Sequence, residues 1–106
     1  MTNEMIILIA RFELMEEGIL KGTGNKMRIE TEEGGIIEVD EPEEIHTYQG
    51  WKSINRQVKK GEKSVATIQI WKYTRKKPKN EDDEEKERIF LTNAFFFTKE
   101  QTEVMT

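Results

Sequence analysis

The sequence predicts an α+β fold in which two helices cover one face of a curved, mainly antiparallel sheet. Two segments, near residues 4–17 and 48–59, carry apolar residues at the 3.6-residue period of a helix. Three others, at 27–39, 64–76 and 88–98, either alternate apolar with polar residues or are rich in β-branched and aromatic residues, as strands are. The chain has 106 residues, which is the length of one domain, so we expect a single domain over its whole length.

The first predicted helix has one apolar stripe. Asn3 is its expected N-cap, and Gly18 is expected to end it. The stripe that should face the core consists of Met5, Leu8, Ile9, Phe12 and Met15.

A β-hairpin is predicted at residues 27–39. Apolar and charged residues alternate there, and the pair Gly34 and Gly35 marks the turn. Residues 22–25 before it are predicted to be a loop. Residues 40–44 form an acidic connector, in which Pro42 argues against regular structure.

The second predicted helix spans residues 48–59, with Thr47 as its N-cap and Gly61 as its end. Its apolar stripe is Tyr48, Trp51, Ile54 and Val58. Trp51 lies within this stripe, so we interpret it as a core anchor rather than as a surface for stacking.

The strand predicted at residues 64–76 has two different faces. One face, with Ala66, Ile68 and Ile70, is expected to join the core. The other holds Thr67, Gln69, Trp71, Tyr73 and Arg75. Trp71 and Tyr73 are therefore either exposed for base stacking, packed under the charged loop that follows, or part of an oligomer contact.

The segment at residues 88–98 has apolar residues on both faces, which is typical of a central strand. We expect it to pair with residues 64–76 and to place Trp71 and Tyr73 near residues 91–95. The acidic run at 81–85 is expected at the loop tip between them, either simply solvated or covering a basic groove as a decoy. A short last helix is predicted at 99–103.

Charge is segregated along this chain of net charge −4. Residues 47–79 contain ten lysines and arginines and a single acid, Glu62. The 46 residues before them carry four bases and twelve acids, and residues 80–106 carry three bases and eight acids. A basic block of this kind, interspersed with aromatic residues, favours binding to a nucleic acid single strand, because cations neutralise phosphates and aromatic rings stack on bases.

The predicted contacts with nucleic acid all lie in this block. Each base stacked on Trp71 or Tyr73 would be worth about 1–3 kcal/mol. The turn at residues 59–63 has a second interpretation as an ordinary solvated turn, although Gly61 would also let a phosphate approach the backbone. The full set is Lys52, Arg56, Lys59, Lys60, Lys63, Trp71, Lys72, Tyr73, Arg75 and Lys76.

Several other classes of function find no support in the sequence. There are no cysteines and one histidine, His46, so neither a metal site nor a catalytic triad is expected, and we predict no enzyme activity and no cofactor. The longest apolar run is too short to span a membrane, and the lack of cysteine fits a cytoplasmic protein. The alternative to a nucleic-acid-binding module is an inhibitor or adaptor that binds a basic protein through acidic faces at residues 28–44 and 80–87.

Two motifs resemble a known family. Trp51 and Lys52, followed by the run from Arg56 to Lys63 (RQVKKGEK), and the later run AFFFTKEQTE, residues 94–103, are similar in order and spacing to the ArdC-type N-terminal single-stranded-DNA-binding domain. The resemblance covers about residues 45–104. Asn55 stands where many family members have glycine.

The resemblance implies a non-enzymatic module that binds single-stranded DNA, or RNA as the alternative strand. We expect little sequence preference, because every base offers a face for stacking. In the family this domain precedes a zinc metallopeptidase domain with an HExxH helix. This chain has no such motif, so the resemblance implies a stand-alone module, encoded by a phage or another mobile element, and does not transfer antirestriction activity as such.

Overall fold

The structure is a computed structural model that describes the backbone of residues 1–76 and 86–106. Within these ranges, the side chains of Arg75, Lys76 and Lys86 are not described. The acidic run at residues 81–85, and both interpretations attached to it, lie outside the described residues.

The α+β class is confirmed, and the described strands pair antiparallel. In chain order, the elements are α1 (Asn3–Glu16), β1 (Gly22–Glu30), β2 (Ile36–Pro42), β3 (Ile45–His46), α2 (Tyr48–Ser53), β4 (Arg56–Val58), β5 (Ala66–Lys76), β6 (Lys86–Thr98), a 3-10 turn (Lys99–Gln101) and β7 (Thr102–Val104).

The described strands form three small sheets. The β1–β2 hairpin is one, the pair β4–β7 is another, and the third has the order β3–β6–β5. The long β5–β6 pairing runs from Ala66 opposite Phe96 to Lys76 opposite Lys86, whereas β3 meets only the last residues of β6. The predicted pairing of the two long strands is therefore confirmed. Trp71 lies opposite Leu91, at the end of the expected range 91–95, whereas Tyr73 lies opposite Ile89, outside that range.

The core lies where α1 crosses the three-stranded sheet. Leu20, Ile45, Ile68 and Phe96 are its buried members. Ile68 and Phe96 have the same strand parity, so one face of the β5–β6 hairpin packs under α1. The expected inward face of β5 is thus confirmed, since Ala66 and Ile70 also pack on this cluster.

The predicted stripe of α1 is largely wrong. The helix packs on the core through Ile6, Ile7, Ala10, Leu14 and Met15, and of the predicted stripe only Met15 is in that set. Met5 and Ile9 are exposed. The helix is apolar around most of its circumference, so periodicity alone does not select a face. The predicted cap is also wrong, because the hydroxyl of Thr2, not Asn3, accepts the N–H of Met5 at 3.2 Å.

The second helix is much shorter than the predicted 48–59. Thr47 caps α2 as expected, accepting the N–H of Gly50 at 3.2 Å, but the helix ends at Ser53. Asn55 has a left-handed backbone with φ 65°, which reverses the chain into β4. Ile54 is exposed and Val58 lies in a strand, so only part of the predicted stripe faces the interior.

Three smaller boundaries also differ from the expectations. The predicted loop at 22–25 is the beginning of β1, which has an irregularity in its pairing between Gly22 and Lys26. Pro42 ends β2 and is buried, so the connector at 40–44 is partly strand. The predicted last helix is a single 3-10 turn that runs directly into β7.

Candidate nucleic-acid interface

The face of the β5–β6 hairpin opposite α1 is open and apolar. Alternation along β5 places Trp71 and Tyr73 on this face, and cross-strand pairing adds Leu91 and Ile89 directly opposite them. Their side chains are 44, 55, 47 and 69% exposed in that order. Phe95, opposite Thr67, is 53% exposed on the same face. We call the five large side chains the hairpin platform.

Sequence reasoning missed three members of the hairpin platform. The sequence predicts a central strand at 88–98, and β6 does lie between β3 and β5, but that prediction does not single out Ile89, Leu91 and Phe95 as exposed. In the structure β3 pairs with β6 only at Phe97 and Thr98, so most of β6 has a single strand neighbour. The exposure of Ile89, Leu91 and Phe95 shows that the described residues leave this face of β6 largely uncovered. The antiparallel register would have found these residues, because it puts them on the face of Trp71 and Tyr73.

The basic turn between β4 and β5 has a defined backbone. The N–H of Glu62 donates to the carbonyl of Lys59 at 3.2 Å, and Gly61 has φ +88° at the third position. A positive φ there is what a type II turn requires, and it favours glycine. Lys60 and Lys63 are exposed, and neither makes an ion pair among the described residues.

Gln101 holds this turn in place. Its Nε2 donates to Glu62 Oε2 at 3.0 Å and to the Lys63 carbonyl at 2.6 Å, while its Oε1 accepts the N–H of Thr98 at 3.0 Å. Its backbone carbonyl accepts the N–H of Lys59 at 2.8 Å. The two separate sequence motifs therefore meet in space. Hydrogen bonds from Gln101 in the second motif fix the turn of the first motif.

The next two residues of the second motif have partners on β4. The guanidinium of Arg56 donates to the Thr102 hydroxyl at 2.7 Å and to its carbonyl at 3.3 Å. Thr102 is buried and also donates to the Lys99 carbonyl. Glu103 accepts from the side chain of Gln57 at 3.0 Å. Gln101, Thr102 and Glu103 of this motif thus stabilise the local structure through hydrogen bonds.

These contacts divide the predicted cations into groups. Arg56 is partly buried and engaged by Thr102, so it is a structural residue here. Lys59 is exposed, but its ammonium donates to the Glu100 carbonyl at 3.3 Å. Lys52, Lys60, Lys63 and Lys72 are exposed and have no acidic partner in the described part of the chain.

The predicted residues do not all lie together. Lys72 is opposite Phe90, so it shares the face of Ile68 and Ile70, not that of the hairpin platform. Trp71 lies five residues into β5, about 17 Å along the strand from its beginning next to the basic turn. Arg75 and Lys76 continue β5, but their side chains are outside the description.

Trp51 and His46 belong to the interior framework. Trp51 is fully buried, and its indole N–H donates to the Phe97 carbonyl at 2.9 Å, so its assignment to the core agrees with the structure. The ring of His46 packs edge-on against Trp51 at 4.7 Å between centroids, and its Nε2 contacts the Glu44 carboxylate. Tyr48 covers Phe97 at 4.5 Å while remaining half exposed.

The acidic connector also has local partners. Glu43 accepts the backbone N–H of Lys21 at 2.6 Å, and Glu41 accepts the hydroxyl of Thr23 at 2.9 Å. The guanidinium of Arg11 reaches the carbonyls of Pro42 and Glu43 at 2.6 and 3.1 Å. These contacts join α1 and β1 to the segment that leads into β3.

Comparison with known families decides the affiliation. A family model described as the N-terminal domain of anti-restriction factor ArdC matches residues 41–102, which is more than half of the chain. The chain belongs to the ArdC N-terminal domain family. The resemblance inferred from the two motifs is confirmed. No curated protein and no solved structure gives a significant match.

Membership of the ArdC N-terminal domain family indicates a DNA-binding domain related to anti-restriction rather than a catalytic one. The matched segment contains the basic turn, β5, β6 and Gln101, while α1, β1 and most of β2 precede it. Among the described residues, no helix has the length and apolar character needed to cross a membrane.

Proposed function

We propose that this chain binds single-stranded DNA, with bases stacked on the hairpin platform and phosphates neutralised by the basic turn. The observation that carries the proposal is the joint exposure of Trp71 and Tyr73 on one open strand face. Rings exposed in this way offer stacking surfaces to unpaired bases, each worth about 1–3 kcal/mol.

The turn supports the electrostatic half of the proposal. Lys60 and Lys63 project from a backbone that Gln101 holds, and their charges have no acidic partner among the described residues. Lysines of this kind bind phosphates as point charges and release counterions on doing so. Neither stacking nor phosphate contact selects a base, so we expect little sequence preference.

The distance between the two parts sets the geometry of the complex. Because Trp71 lies about 17 Å beyond the beginning of β5, a strand that touches both parts must run alongside β5. An extended single strand can follow such a path and turn its bases toward the hairpin platform. A duplex keeps its bases stacked inside and would meet only the lysines.

Fluorescence anisotropy tests the proposal with labelled single strands of about 20 nucleotides and the matching duplex, titrated across salt. We expect tighter binding to the single strand and a steep loss of affinity as salt rises. Lys60→Glu should weaken binding to every sequence, whereas Lys26→Glu, the same charge change on the acidic β1–β2 hairpin, should have a smaller effect. Equal effects of the two variants would contradict the assignment of the turn.

Stacking has its own readout. Trp71 is half exposed and Trp51 is fully buried, so quenching of tryptophan fluorescence by bound DNA should come from Trp71. Trp71→Phe should abolish the quenching while keeping most of the affinity, and Trp71→Ala should weaken binding about ten-fold or more. Tighter binding to duplex, or no binding to either nucleic acid at low salt, would contradict the proposal.

A further inference from the structure

We propose that two copies of this chain associate through the outer edge of β1, which joins the two β1–β2 hairpins into one four-stranded antiparallel sheet. Within the described residues β1 pairs only with β2, so its second edge has no strand beside it. An isolated two-stranded sheet is marginally stable, and added strands with an apolar face stabilise it. Most of this hairpin precedes the segment matched by the family.

The backbone of β1 defines which residues the edge offers. The N–H of Thr31 donates to the Gly35 carbonyl at 2.8 Å and closes the hairpin. Bonded and non-bonded positions alternate in an antiparallel pair, so Ile29 and Met27 face β2 with their backbone groups. The N–H and C=O groups of Arg28 and Glu30 therefore point to the outer edge.

One two-fold register uses these groups and also matches charge. With Ile29 on the axis, Arg28 of each copy lies opposite Glu30 of the other, at positions where backbone bonds are exchanged. The interface then contains two Arg28–Glu30 pairs related by the two-fold axis, and each joins a base to an acid on the exposed side of the sheet. The alternative register with Arg28 on the axis opposes it to itself.

The apolar side of the sheet fits the same register. Ile29 lies opposite Ile37 of its own hairpin, and Ile37 is 47% exposed. Pairing about Ile29 makes a continuous row of four isoleucines across the two copies. Exposed apolar surface in a row is removed from water when neighbouring side chains approach in this way.

The other edge of the hairpin lacks this complementarity. The charged residues of β2 are Glu38, Asp40 and Glu41, all acidic. Any pairing of β2 with a second β2 brings acids opposite acids or opposite neutral residues, and like charges directly opposite each other are destabilising. The charge pattern therefore selects β1 as the edge that associates.

Sedimentation analysis of the full chain over a wide concentration range tests the proposal. The parent should shift from monomer to dimer as concentration rises. Arg28→Glu and Glu30→Arg should each weaken self-association about ten-fold or more, because both interface pairs become like-charged. An equimolar mixture of the two variants should dimerise as the parent does, because every interface pair is again an acid with a base.

Proline variants separate the edge from the fold. The N–H of residue 28 points away from β2, so Arg28→Pro should keep the hairpin and abolish the dimer. Glu38→Pro makes the same change on the opposite edge and should dimerise normally, with circular dichroism checking the fold of both. A parent that stays monomeric, a mixture that does not recover, or loss of the dimer in Glu38→Pro alone would overturn the proposal.

Discussion

The side-chain amide of Asn3 pairs with both backbone groups of Trp71. Its Nδ2 donates to the Trp71 carbonyl at 2.8 Å, and its Oδ1 accepts the Trp71 N–H at 2.7 Å. One amide thus acts as a one-residue strand on the edge of β5. The contact ties the start of α1 to the strand position that carries the central ring of the hairpin platform.

Replacing Asn3 should lower the stability of the protein, because the contact between α1 and the edge of β5 is lost. Asn3→Ala removes two hydrogen bonds between partly exposed groups, and we expect the free energy of unfolding to fall by about 1–2 kcal/mol. Asn3→Asp should be no better, since a carboxylate cannot donate to the carbonyl. Urea denaturation measures the change, with Asn25→Ala on exposed β1 as control. A loss no greater than that of the control would contradict the role given to Asn3.

Gln101 should contribute more to the free energy of unfolding than an ordinary partly exposed glutamine does. Gln101→Ala removes three side-chain hydrogen bonds, two of which join the basic turn to the C-terminal segment, so we expect a loss of about 1–3 kcal/mol in unfolding free energy. Gln57→Ala, which removes a single exposed bond to Glu103, is the matched control and should lose less than about 0.5 kcal/mol. Similar melting temperatures for the two variants would contradict the claim that hydrogen bonds from Gln101 fix the basic turn.

The left-handed conformation of Asn55 makes opposite predictions for two small replacements. Asn55→Ala should destabilise the protein by about 1–2 kcal/mol, because alanine is strained at positive φ. Asn55→Gly should change stability by less than about 0.5 kcal/mol, since glycine adopts this conformation freely. Chemical denaturation of both variants checks the sign, and an alanine variant as stable as the glycine variant would refute the explanation.

The two tryptophans should respond differently to the same substitution. Trp51→Phe leaves a gap in the core and removes the indole donor to the Phe97 carbonyl, so we expect a loss of about 2–4 kcal/mol. Trp71→Phe on the open face should cost less than about 0.5 kcal/mol. Thermal melts monitored by circular dichroism compare them directly. Equal losses would mean that Trp71 is buried in solution by something other than the described residues.

Local patterns in the sequence predicted the β5–β6 hairpin well. Alternation in β5 separates Ile68 from Trp71 and Tyr73 without any knowledge of the rest of the fold, because a strand has only two faces. The same approach failed for α1, where Met5 and Ile9 are as apolar as Ile6 and Ile7. Tertiary packing, which periodicity does not contain, decides between them.

The candidate site was only partly predictable. A count of charges predicts Lys60 and Arg56 equally as contacts to nucleic acid. In the structure Lys60 is exposed on a turn, whereas Arg56 is hydrogen-bonded to Thr102. The difference depends on a pairing between β4 and β7, whose residues are more than forty positions apart. The end of α2 also depended on one backbone angle at Asn55, which composition does not reveal.

The link from Gln101 to the basic turn has a thermodynamic consequence for any ligand. A free loop of lysines must lose backbone conformational entropy when it binds, at roughly 1–2 kcal/mol for each residue that becomes fixed. Here the carbonyl of Lys63 and the N–H of Lys59 are already held in the folded chain. The turn is preorganised, so binding energy gained at Lys60 is not spent on ordering the backbone that carries it.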